Sequence, residues 1–164
     1  MSALAAEFAD HARFERVDDA ADRVEDAFAP TSNDWEASVR VDEAEVEITV
    51  VVPTLDAATN DDVADVVEDG WFDTFERRVH DADGVTLAED VEVAAVERNR
   101  GDVTVELVLT PRTGKAADDA LALVNYVEGT WFEGVVPGYD YVEKVQGMRE
   151  QAAQNAQRTD GTPL

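Results

Sequence analysis

Four runs of this chain alternate apolar and polar residues with a period of two, and they come in adjacent pairs. Trp35, Ala37, Val39 and Val41 alternate with Glu36, Ser38, Arg40 and Asp42. Beyond the short Asp42-Glu43-Ala44 connection, Val46, Ile48, Val50 and Val52 alternate with Glu45, Glu47, Thr49 and Val51. Farther on, Val91, Val93 and Ala95 alternate with Glu92 and Ala94, and Asn99-Arg100-Gly101 supplies a turn. Val103, Val105, Leu107 and Leu109 then alternate with Thr104, Glu106, Val108 and Thr110. Successive side chains of a strand point to opposite faces, so each pair of runs reads as a hairpin with one apolar face. That face has to be covered by something else in the chain.

The cover comes from segments with helical spacing. Leu4, Phe8, Phe14, Val17, Ala21, Val24 and Phe28 recur mostly at three- and four-residue steps, which predicts a long N-terminal helix. Ser2 is its expected N-cap, and Pro30 with Thr31-Ser32-Asn33-Asp34 its expected end. After Pro53, Asn60-Asp61-Asp62 opens a helix carrying Val63, Val66, Val67, Trp71, Phe75 and Val79, with Arg77, Arg78 and His80 in the last turn. After Pro111, Asp118-Asp119 opens another, carrying Leu121, Val124, Val127, Trp131 and Val135, stopped by Pro137-Gly138. A last helix, marked by Tyr141, Val145, Met148 and Ala152, is expected to end near Gln157.

The expected architecture is α+β: an N-terminal helix, two ββα units forming a mostly antiparallel sheet with helices on one face, and a C-terminal helix. A single domain spans 1–157, and the tail 158–164 is expected to be disordered. The two units, 35–80 and 90–136, repeat the order hairpin, proline, acidic helix start, helix, Trp-Phe. Val46 to Val50 lies over Val103 to Leu107 at an offset of 57, and Trp71-Phe72 over Trp131-Phe132 at an offset of 60. Duplication and convergence on one packing solution both account for this.

Charge limits where such a domain works. The chain holds 38 Asp and Glu against 13 Lys and Arg, a net −25, with the acids spread along its whole length. At low ionic strength that excess opposes the compact state, whereas at 1 M salt the Debye length falls to ~3 Å. Arg, more weakly hydrated than Lys, supplies 11 of the 13 cations. The pattern reads as adaptation to molar salt. There is no Cys, which excludes disulfides and thiolate chemistry. Met1 to Ala6 is not expected to be a secretory signal, and no run approaches the ~20 apolar residues that span a membrane, so the expected location is the cytoplasm.

Groups able to carry chemistry are scarce. His11 and His80 sit beside Asp10 and Asp81, and His80 reads as a cation closing a helix. The only serines are Ser2, Ser32 and Ser38, and no Ser-His-Asp arrangement is suggested. Asp61-Asp62 and Asp118-Asp119 occupy corresponding places and could meet around a metal, but acids at a helix start more often cap it. No catalytic residue, metal site or cofactor is assigned. Arg77-Arg78 and Arg98-Asn99-Arg100 are too sparse to bind nucleic acid against −25 overall.

The aromatic pairs are the candidate binding surface: Trp71, Phe72, Trp131 and Phe132, with Tyr139 and Tyr141. Neighbours on a helix point ~100° apart, so one member of each pair should face a second surface. That surface is internal packing, a contact with a protein partner, or a homodimer contact.

With the residues Glu47 to Pro53, Val63 to Phe75 and Gly129 to Phe132 in view, the chain resembles a family of small acidic haloarchaeal proteins catalogued as a domain of unknown function. The resemblance covers about residues 20–145, implies a haloarchaeal cytoplasm, and carries no activity or catalytic residue. The order of elements is also similar to small acidic chaperones of bacterial secretion systems, which place three strands before the middle helix where two are expected here. That likeness and the scarcity of catalytic groups point to a non-enzymatic protein-binding, chaperone-like or adaptor module. The alternative is a small-ligand binder or carboxylate-dependent enzyme with a pocket between helices and sheet, using Glu128, Glu133 or Asp140 near Trp131 and Tyr139.

Overall fold

A computed structural model describes residues 2–17, 26–42, 44–88 and 90–160. The order is α1 (Ala3–Asp10), β1 (Phe14–Arg16), β2 (Asp26–Pro30), β3 (Glu36–Val41), β4 (Val46–Pro53), α2 (Leu55–Ala58), α3 (Asp65–Val79), a 3₁₀ turn (Ala82–Val85), β5 (Val91–Arg98), β6 (Asp102–Leu109), α4 (Ala116–Glu133) and α5 (Glu143–Asp160). The six strands form one antiparallel sheet in the order β1-β2-β3-β4-β6-β5. It is an α+β fold.

Both expected hairpins are present, and period two decides which side of each strand is buried. Val39, Val41, Val46, Ile48, Val50 and Val52 face inward, as do Val103, Val105, Leu107 and Leu109. Ser38, Glu47 and Glu106 stay exposed on the other face. The hairpins join through their second strands, with Ile48 opposite Leu107 and Val50 opposite Val105. α4 packs on β4 and α3 on β5, so each helix covers the hairpin that it does not follow.

The N-terminal segment departs from expectation. α1 stops at Asp10, although Ser2 does cap it, its hydroxyl accepting from Ala5 N at 3.0 Å. Phe14 and Phe28 lie instead on β1 and β2, which pair Phe14 with Pro30 and Arg16 with Phe28. The phenylalanines still meet: the Phe8 ring lies 5.0 Å from that of Phe14 and 5.5 Å from that of Phe28. Fourteen residues apart, two aromatics fit either a helical face or a folded-back hairpin. Ala21 and Val24 of the expected helix fall outside the described residues. Four strands therefore precede α3, so the order departs from the secretion chaperones in the opposite direction to the one expected.

The helix start at Asn60-Asp61-Asp62 also moves. A short α2 comes first, capped by Thr54 Oγ1, and α3 begins only at Asp65. Asp61 accepts from Asp140 N at 2.7 Å. Asn60 N donates to Asp140 O at 2.7 Å and Val142 N to Ala58 O at 2.9 Å. These bonds fasten the α2–α3 connection to the α4–α5 connection and fix where α5 leaves the body. α5 runs three residues beyond the expected Gln157, and residues 161–164 of the expected tail fall outside the described ones.

Candidate functional site

α4 forms as an amphipathic helix whose inner face, among it Leu123, Val124, Val127 and Trp131, is buried. Its first turn carries both expected acids, each held by a basic side chain. Asp119 takes a two-pronged contact from Arg112 at 2.9 and 2.7 Å, and Asp118 meets His11 Nε2 at 2.8 Å. That hydrogen bond holds the Asp118 carboxyl below its ordinary range. Among the described residues, no three His, Asp or Glu side chains are placed to hold a metal ion.

One turn before Trp131, Glu128 is 6% exposed. It accepts from Trp35 N at 2.8 Å, from Asp34 N at 3.4 Å and from Asn33 Nδ2 at 3.4 Å. The carboxylate thus closes the β2–β3 turn from a position 93 residues away. Burial pushes its pKa up, and the three hydrogen bonds only partly oppose that. From α5, Lys144 Nζ donates to Asp34 O and sits 4.2 Å over the Trp35 ring. Trp35 in turn meets Trp131 edge-on at 4.9 Å.

Outward of this knot, between α4 and α5, lies an open cleft of about 610 Å³. Phe132, Gly129 and Asn125 line it from α4, and Gly147, Met148, Gln151, Ala152 and Asn155 from α5. Asp34, Glu128 and Lys144 are its charged members. At Gly129 and Gly147 an added Cβ would meet no atom within 4 Å.

The six aromatic candidates do not form one surface. Trp71 is buried and stacks on Phe75 at 5.6 Å. Half-buried Phe72 lies under the Arg98 guanidinium at 4.8 Å, which also pairs with Asp69 at 2.9 Å. Trp131 is buried, its Nε1 donating to Pro53 O at 2.7 Å. Tyr141 is buried and donates to Val136 O, while half-buried Tyr139 meets its ring at 6.4 Å. Of the six, Phe132 reaches the cleft.

The carboxylates of the alternative reading are also apart. Glu128 lines the cleft, but Glu133 is exposed 3.7 Å from Arg78, and Asp140 accepts from Asn60 Nδ2 at 3.3 Å. The α5 wall was not among the candidates. Its signal in the sequence is a run of seven residues without a charge, Gln151 to Gln157, in a chain that is 31% charged.

The chain belongs to the DUF5813 family. This is a family of unknown function, and its model matches residues 9–151. The matched span takes in the whole sheet, α4 and the first half of α5, and with them both walls of the cleft as far as Gln151. No curated protein and no solved structure matches the chain. Among the described residues no helix is long and apolar enough to cross a membrane.

Proposed function

We propose that this chain is a non-enzymatic protein-binding or adaptor module, and that its binding surface is the cleft between α4 and α5. What carries the reading is how the chemistry of the cleft divides. Glu128 and Lys144 are both tied to backbone groups of the Asn33–Trp35 turn. Apart from the exposed Asp34 carboxylate, what remains is apolar or amide: Phe132, Met148 and Ala152, with Asn125 and Gln151. A carboxylate holding a turn through three donors is poorly placed to exchange protons with a substrate. An apolar trough between two helices suits the face of an amphipathic segment.

Burial of Glu128 beside a cleft of ligand-accommodating size supports the second reading, a small-ligand site. Pull-down from native cells in molar KCl separates the two. A stoichiometric protein partner lost with Phe132→Ala and Met148→Gln supports the module. Retention of every partner by both variants, together with metabolite binding abolished by Glu128→Gln, overturns it. Trp71 and Trp131 make poor probes, because truncating a buried Trp costs ~3–5 kcal/mol of stability by itself.

The net charge of −25 supports a salt-rich cytoplasm as the place where the module works. It also supports a protein partner over nucleic acid, since Arg77, Arg78 and Arg98 each pair with a neighbouring acid.

A further inference from the structure

We infer that α5 is a hinged arm that closes on α4, so that the chain itself opens and shuts the cleft between them. The start of α5 is fastened. Val142 N donates to Ala58 O at 2.9 Å, and Val145 is buried. Lys144 donates to Asp34 O and covers the Trp35 ring, and the Arg149 guanidinium lies 5.1 Å over Tyr141. Beyond Arg149 the surroundings change: Glu150, Gln151 and Ala153 through Ala156 are exposed, with Ala152 half-buried. A helix fixed at one end and solvated at the other can tilt as a rod about its first turns.

The two walls of the cleft are matched for that motion. Laid antiparallel, their lining residues correspond position for position: Phe132 with Lys144, Gly129 with Gly147, Glu128 with Met148, and Asn125 with Gln151. On both helices these positions step by three, one and three residues, the spacing of a single stripe. Glycine thus meets glycine within the register, where the absence of two Cβ atoms lets the backbones approach closely. In the open arrangement that freedom is unused, since a Cβ at either glycine would meet no atom within 4 Å, and Gly weakens a helix interior relative to Ala. Closure uses it. It also buries the half-exposed Phe132, Met148 and Ala152, and brings the Asn125 and Gln151 amides together. No unpaired charge enters the contact, because Glu128 and Lys144 are both bonded to the Asn33–Trp35 turn beside the pivot.

The test is disulfide formation within the pure chain in molar KCl, which the absence of native Cys makes clean. On mild oxidation, Asn125→Cys/Gln151→Cys should close an intramolecular bond about tenfold faster than Asn125→Cys/Ala153→Cys, because position 153 lies roughly 200° around the helix from 151. Gly147→Leu fills the space that closure needs and should slow the first pair about tenfold by lowering the effective concentration of its thiols. Gly129→Leu gives the same reading from the other wall, and far-UV circular dichroism should stay unchanged in both. A first pair that closes no faster than the second overturns the proposal. So does a fast bond indifferent to both glycine substitutions, which would mean that the walls are within reach without movement. Closure is read without a partner, so its failure leaves the protein-binding reading standing, and a partner search that fails leaves closure standing.

Discussion

Glu128 holds the most consequential side-chain position in the molecule, because its hydrogen bonds join α4 to a turn that the sequence places far away. Glu128→Gln replaces one acceptor oxygen with a donor facing backbone N–H groups. We expect a loss of ~1–3 kcal/mol in denaturant unfolding. The pH dependence has a definite sign. The folded-state pKa is raised, so the folded protein holds this proton at a pH where the unfolded chain has released it. This group's contribution to stability therefore rises as pH falls through the carboxylate range, and Glu128→Gln removes that component from the stability–pH curve. Asp118 acts in the opposite direction. Its pKa is lowered by His11, so its contribution is present above the unfolded-state value and fades as pH falls through the folded one. Trp131→Phe leaves Pro53 O without its buried donor and should cost a similar ~1–3 kcal/mol, readable as a lower denaturation midpoint. Glu128 and Trp131 both stood out in the sequence. Their partners, Trp35 N and Pro53 O, did not, since a backbone group leaves no mark in composition or spacing.

Elements were legible where their period was unambiguous. The four long strands and the helices at Trp71, Trp131 and Val145 sit where the alternation and the three- and four-residue steps put them. Misreadings fell where the pattern fitted two elements or a cap. Ala residues between Phe14 and Phe28 fit a helical stripe and a strand equally, so β1 and β2 read as helix. Asp61 looked like a cap because acids stabilise helix starts, yet its carboxylate holds Asp140 N and so sets the exit of α5. Independence of α5's second half from the core is testable. Deleting residues 153–164 should leave the thermal midpoint within a few degrees of the full chain, since no described residue from Ala153 to Ala156 is buried. A large fall in the midpoint would mean that this half of the helix packs on its own core.

At the scale of the whole molecule, charge and symmetry dominate. Repulsion among 25 excess negative charges is screened only by salt, so we expect cooperative melting to be lost below ~0.1 M KCl and regained on adding salt back. An unchanged near-UV spectrum and melting temperature on dilution would refute the halophilic reading. The units 35–80 and 90–136 meet in the sheet through a symmetric ladder. Shifting Ile48 and Val50 by 57 residues gives Val105 and Leu107, and the sheet pairs Ile48 with Leu107 and Val50 with Val105. Exchanging the units thus maps the central ladder onto itself.

By itself, the sequence determined the hairpins, their buried faces and the α+β class. All of these follow from local periodicity. Only the tertiary structure decided that Phe14 and Phe28 belong to strands, that the large aromatics pack inside, and that Glu128, Lys144, Phe132 and Met148 meet around one cleft. Those outcomes depend on contacts between residues tens of positions apart. Which distant segments meet, and which backbone groups they bring to a side chain, is not encoded in a local pattern.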